Sequence, residues 1–203
     1  MKYGYFFYVI IGFLSGSILF GRLIPMIFRG VDVRDKSLRM EIRERLMHLP
    51  RGGAFCGILV LLADLGKGAI PVALCAKDLG INSWMFALVM AAPVFGHAHS
   101  LFQKGHGGKA IAVSFGVLIG LLPLWRPLAA LIFWYLLFII VIPARSNTRK
   151  SVYTFLAFAV TVMLTVPYRT VLSGCILMSG IVIHKHCLKA NAAYRRGEEW
   201  RLE

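Results

Sequence analysis

The chain has 203 residues, of which 58% are hydrophobic and 16% charged, against an apolar share of roughly 45–50% in soluble domains. One soluble core cannot hide that much apolar surface, and the apolar residues come in continuous runs of the kind that crosses about 30 Å of hydrocarbon with about 20 residues. Lys and Arg outnumber Asp and Glu by 23 to 9, but they stand in short clusters between the runs, which favours membrane sidedness over a nucleic-acid surface.

Because the runs do not alternate, the spanning element is a helix and not a barrel strand. The expected fold is an all-α integral membrane protein, one domain over residues 1–203, with seven transmembrane helices and a short amphipathic interfacial helix. The first span is predicted from about Gly4 to Phe28, interrupted by Ser15-Gly16-Ser17 and by Arg22 and Pro25. Gly12, Gly16 and Gly21 offer another helix a close approach. Arg22 either snorkels to the interface or faces an anionic substrate. From Arg29 to Arg51 the chain carries seven Lys/Arg against Asp32, Asp35, Glu41 and Glu44, with loose helical periodicity that suggests a surface helix.

The second span, about Gly53 to Ala76, contains Asp64 and Lys67, three apart and so on one helical face. They form either a structural ion pair or a device in which Lys67 contacts a phosphate while Asp64 orients it. A third span from about Asn82 to Gly96 leads into Gly96–Lys109, where four glycines, three histidines and two lysines fall within fourteen residues. Gly105, Gly107 and Gly108 free the backbone to expose successive N–H groups, and Lys104 and Lys109 add charge. That combination predicts an anion nest, most naturally for phosphate. His97, His99 and His106 crowd the same loop, but no carboxylate accompanies them, which argues against a metal.

Further spans are expected over Ala110 to Pro123, about Leu128 to Pro143, Val152 to Val166 and Arg169 to Ile183, followed by a basic, then acidic tail suited to anionic headgroups. The cysteines Cys56, Cys75, Cys175 and Cys187 have no C-x-x-C spacing and read as small buried apolar residues. In this scheme one side carries seven cations in 29–51, two in the glycine stretch, three in 145–150 and five from Lys185 onward. The other holds only Lys2, Lys77, Arg126 and Arg169. The positive-inside rule then puts the N-terminus out, with the C-terminus and the glycine stretch in the cytoplasm.

Several of these residues resemble the PlsY family of acyl-phosphate-dependent glycerol-3-phosphate acyltransferases. Leu62-Ala63-Asp64-Leu65-Gly66-Lys67-Gly68 followed by Pro71 is similar to the family's L-x-D-x-x-K-G-x-x-P. Gly96, His97, Phe102, Gly107, Gly108, Lys109 and Ala112 match its G-H-x-x-P-x-F-x-x-F-x-G-G-K-G-x-A-T in register. Gly16-Ser17 with Phe20-Gly21 resembles its opening G-S-x-x-F-G, Asp32-Val33-Arg34 its D-I-R, and His186 and Glu198 fall where it has a histidine and a glutamate. The resemblance implies a bacterial plasma-membrane enzyme with a cytoplasmic site, acting on acyl-phosphate and glycerol 3-phosphate in phospholipid synthesis with no metal or cofactor. It implies roles for His97, His186 and Lys67 in catalysis, for Gly107, Gly108 and Lys109 in phosphate binding, and for Ser17, Arg34, Asp64 and Glu198 in support; by their charge, Lys104 joins the phosphate-binding set and Arg22 the supporting one.

The chain departs from that pattern after Arg34. Where the family carries G-S-G-N-x-G-A-T-N, this sequence reads Ser37-Leu38-Arg39-Met40-Glu41-Ile42-Arg43-Glu44-Arg45. Ala110 replaces a glycine, Val113 a threonine, Ser100 a proline, Gly105 a phenylalanine and Lys189 an asparagine. A divergent relative with another acceptor, or one that binds lipid phosphate without turnover, is therefore the alternative; a transporter lacks support because no paired, related halves are evident. In the acyl-transfer reading, phosphate is already a good leaving group and the substrate's own phosphate can take the hydroxyl proton, with His97 or His186 as the fallback base.

Overall fold

A computed structural model describes residues 2–29, 52–141 and 147–194. The expected interfacial helix, with Arg34, and the tail containing Glu198 lie outside those residues. All regular structure among the described residues is helical. We label the helices α1 (Lys2–Ser17), α2 (Phe20–Arg29), α3 (Gly52–Leu79), α4 (Met85–Ala98), α5 (Ile111–Ile119), α6 (Arg126–Leu136), α7 (Asn147–Thr165) and α8 (Arg169–Tyr194). A 3-10 turn, Leu101–Gln103, follows α4, and α6 runs on into a π turn, Leu137–Val141.

Three of these stretches are long and apolar enough to cross a bilayer, and α1 with α2 makes a fourth if the pair, bent by 48°, is one span. The expected fourth span is a helix of 9 residues, and the fifth is 11 residues of α-helix continued by the five-residue π turn, both shorter than the ~20 that a straight crossing needs. The last helix is longer than its apolar run suggests. It continues to Tyr194, so His184, Lys185 and His186 lie on a helix and not on a tail.

The break between α1 and α2 has a physical cause. A helix end leaves carbonyls without partners, and hydrocarbon offers none. Here the Ser17 carbonyl accepts from Ser100 Oγ (2.5 Å) and the Ile18 carbonyl from Lys67 Nζ (2.6 Å). Two other segments thus satisfy the end of α1, and the chain can turn within the bundle.

Helix α4 sits at the centre. Phe86, Val89, Met90, Val94 and Ala98 are buried along it, and its small residues let neighbours approach. A Cβ at Gly96 would overlap the Phe13 carbonyl oxygen of α1, and one at Gly16 would overlap that of Pro93 on α4. Helices α3 and α5 cross in the same way, through Gly68 against Val113 O and Gly116 against Leu65 O. Gly12 meets Pro93 and Ala92 closely, as expected, but Gly21 is different: its nearest neighbour would be Val60 Cγ1 at 3.6 Å, an ordinary contact. Cys75 and Cys175 are buried, whereas Cys187 is exposed, contrary to the expectation for it.

Side-chain contacts sort the ends of the bundle. At one end Tyr5 Oη donates to the Leu79 carbonyl (2.6 Å), Tyr8 to Asp78, Thr170 to the Ile81 carbonyl (2.5 Å) and Arg126 to the Thr165 carbonyl (3.4 Å). At the other, Ser17 meets Ser100, and the His99 and His184 rings lie 6.3 Å apart. So α1, α4 and α8 run in one direction and α3 runs against them.

Candidate active site

The site forms at that second end. The run of small and polar residues closing α4 brings His97 to face α1 and α3, where it is nine-tenths buried. Asp64 and Lys67 come from the middle of α3, one turn apart, and both are buried. Lys67 Nζ lies 2.7 Å from Asp64 Oδ1, 2.6 Å from the Ile18 carbonyl oxygen and 2.8 Å from His97 Nδ1. The Phe20 ring of α2 covers it at 5.4 Å. Two charges removed from water are retained when they are paired, and here Lys67 is paired with Asp64 and also donates to the Ile18 carbonyl. The Lys67 ammonium is thus held among three polar atoms, in an ion pair with Asp64 and in contact with the Ile18 carbonyl and His97.

The loop after α4 folds back over His97. Lys104 and Gly105 both take left-handed backbone conformations, with φ of 51° and 81°, and so reverse the chain. Gly107 then packs on the carbonyls of His97 and Ala98, and Gly108 on the His97 ring, so closely that a Cβ at either would overlap them. Gly108 N–H donates to the His97 carbonyl (2.9 Å). That amide is committed to backbone pairing. Among the described residues no acceptor meets the N–H groups of Gly107, Lys109 and Ala110. With the first-turn amides of α5 just beyond, these make a run of backbone donors at the start of that helix.

Around this centre, Ser17 is fully buried and its hydroxyl donates to the Phe13 carbonyl (2.8 Å), so it braces the end of α1. Arg22 donates to the Gln103 side chain, joining α2 to the loop. Lys104 and Lys109 are exposed at the rim. His106 is also exposed, and its Nδ1 lies 3.1 Å from the nearby Lys104 carbonyl oxygen. His186 is fully buried on α8, and Lys185 beside it is 8% exposed. Ser100 and Gln103 had no motif to announce them. Ser100 is legible in the sequence only as a departure from a family proline, and Lys185 lies on the last helix beyond the expected span end at Ile183.

Comparisons with known proteins agree on one relationship. The family model described as glycerol-3-phosphate acyltransferase matches residues 6–193. A glycerol-3-phosphate acyltransferase of Solidesulfovibrio magneticus is 30% identical over 199 residues, covering 97% of this chain and 95% of its own. One from Bacillus cytotoxicus is 30% identical over 180 residues, 88% of this chain and 85% of its own. Among solved structures, the glycerol 3-phosphate form of PlsY (YgiH), described as an integral membrane glycerol 3-phosphate acyltransferase, superposes with a TM-score of 0.70 at 26% identity, over 96% of this chain and 94% of that one. A shared fold, a match along nearly the whole length and the closely packed glycine turn over His97 lead to one conclusion: this multi-pass membrane chain belongs to the glycerol-3-phosphate acyltransferase family.

Proposed function

We propose that the protein transfers an acyl group from acyl-phosphate to glycerol 3-phosphate, forming lysophosphatidic acid for phospholipid synthesis. The observation that supports this best is the turn of unpaired amides at Gly107, Lys109 and Ala110, with Lys104 and Lys109 on its rim, laid directly on a buried His97. Fixed donors of this kind stabilise the charge that develops on a leaving phosphate. The acceptor hydroxyl oxygen bonds to the acyl carbon, the bond from that carbon to the phosphate oxygen breaks with its electron pair going to phosphate, and the hydroxyl proton ends on the phosphate. In this reading Gly107, Lys109 and Lys104 hold phosphate, Arg22 and Arg34 add charge, and Ser17, Asp64 and Glu198 support the site. His97 and His186 line it, and Lys67 acts through its neighbours.

The finer topology belongs to the same proposal: a single domain with seven crossings in the bacterial plasma membrane, an interfacial helix over 29–51, and the site in the cytoplasm. A specific observation favours a second acceptor as the rival reading, namely Ser37 to Arg45 standing in place of the family's glycine-rich loop. Purified protein with labelled acyl-phosphate separates them. Lysophosphatidic acid and free phosphate should form with glycerol 3-phosphate; faster transfer to another acceptor, or failure of the expressed and inserted protein to rescue a strain lacking this acyltransferase, would reject the assignment. Binding of a non-hydrolysable acyl-phosphate mimic should be lost in Lys109→Ala.

A further inference from the structure

We propose that Lys67 is a positioning residue that holds His97 with its ring proton on Nε2, so that His97 is a hydrogen-bond donor towards the glycine turn and not the proton acceptor of the reaction. An ammonium has three protons and no lone pair. Its neighbours are Asp64 Oδ1 at 2.7 Å, the Ile18 carbonyl at 2.6 Å and His97 Nδ1 at 2.8 Å. The carboxylate pairs with the ammonium's charge and the carbonyl accepts from it, and the 2.8 Å contact with Nδ1 can only be a donation from the ammonium. That nitrogen must present its lone pair, because a proton there would meet an N–H head-on. In a neutral imidazole the remaining proton sits on the other nitrogen. An imidazolium would add a second positive charge against the first.

Nε2 is the atom packed on Gly108, where a Cβ would overlap it. The protonated end of the ring therefore faces the turn that carries Lys109, one residue on. For His97 to take a proton at Nε2 it would first have to move its own to Nδ1 and break the Lys67 contact. Asp64, 3.9 Å from Nδ1, completes the arrangement by holding the ammonium, and the break after α1 supplies the Ile18 carbonyl. That His97 is not the proton acceptor rests on the acyl-transfer reading; its tautomer does not.

Full-length protein in lipid nanodiscs, with its histidine rings labelled with nitrogen-15, tests this directly, the His97 signals being identified by their loss in His97→Gln. The parent and Lys67→Arg should show His97 with Nδ1 unprotonated and Nε2 protonated. Lys67→Met with Asp64→Asn, which leaves no lone buried charge, should let the Nδ1–H form appear. A parent ring protonated on Nδ1, or a double variant with unchanged signals, overturns the proposal. In the transfer assay His97→Gln, whose amide N–H can reach the Nε2 position but cannot act as a base, should lose about tenfold, the scale of one imperfect hydrogen bond. His97→Phe should lose far more, and equal losses in the two would also overturn it. If the parent transfers nothing, the acyl-transfer reading fails and the ring signals alone decide the tautomer.

Discussion

Lys104 and Ala110 bracket the glycine turn, and both are non-glycine residues with positive φ, 51° and 60°. The left-handed conformation costs an L-residue roughly 1–2 kcal/mol, yet relief of that strain should show at only one of them. Lys104 is exposed, so Lys104→Gly sacrifices no burial and loses only the ~0.5–1 kcal/mol of extra chain entropy that glycine brings. We expect a net gain of about 0.5–1 kcal/mol in stability, with weaker phosphate binding because a rim charge is gone. Lys104→Ala should weaken binding equally without the gain. Thermal unfolding and mimic binding measured on both variants check this; a destabilised Lys104→Gly would show that its side chain braces the turn. Ala110 is buried, and its methyl contributes about 0.8 kcal/mol. For Ala110→Gly the gain and the two losses nearly cancel, so that change should be close to neutral.

At the scale of elements, the bundle is set by glycines that let backbones touch, and the same residue type has opposite meanings along the chain. Gly16 and Gly116 sit where any Cβ would overlap a carbonyl oxygen of the facing helix, whereas Gly57 and Gly180 have nothing within 4 Å. Gly16→Ala and Gly116→Ala must push helices apart and should each cost more than about 2 kcal/mol, in the range of overpacked cores. Gly57→Ala should be neutral or stabilising by up to ~1 kcal/mol through helix propensity alone. Thermal stability of the three variants in one detergent checks the ranking, and equal effects would break it.

This contrast also marks what the sequence could reveal. Periodicity and small-residue spacing pointed to close approach at Gly12 and Gly16, and the glycine stretch was visible as an anomaly in an oily chain. The end of α1 was not, because its carbonyls are satisfied by Ser100 and Lys67, 83 and 49 residues away. Nor could the residues alone say that Gly108 would give its amide to the His97 carbonyl. Local pattern carries helices; long-range polar pairing carries the site.

At the scale of the whole molecule, charge and packing arrive independently at the same division. Tyr8 with Asp78, Thr170 with Ile81 and Arg126 with Thr165 gather the segments bearing Lys2, Lys77, Arg126 and Arg169 at one end. The opposite end carries Lys104, Lys109 and Lys185 beside the glycine turn, and the basic segment 29–51 and the tail adjoin it in sequence. Each cation near an anionic leaflet contributes about 1 kcal/mol, and an excess of this sign is what supports the proposed orientation. A C-terminal alkaline phosphatase fusion should therefore be inactive, and a C-terminal fluorescent fusion bright, in cells that insert the protein normally. The reverse pattern would place the glycine turn outside the cell. A site there would have no access to glycerol 3-phosphate made in the cytoplasm, and the proposed acyl transfer would fail with the topology even if every contact around Lys67 were correct.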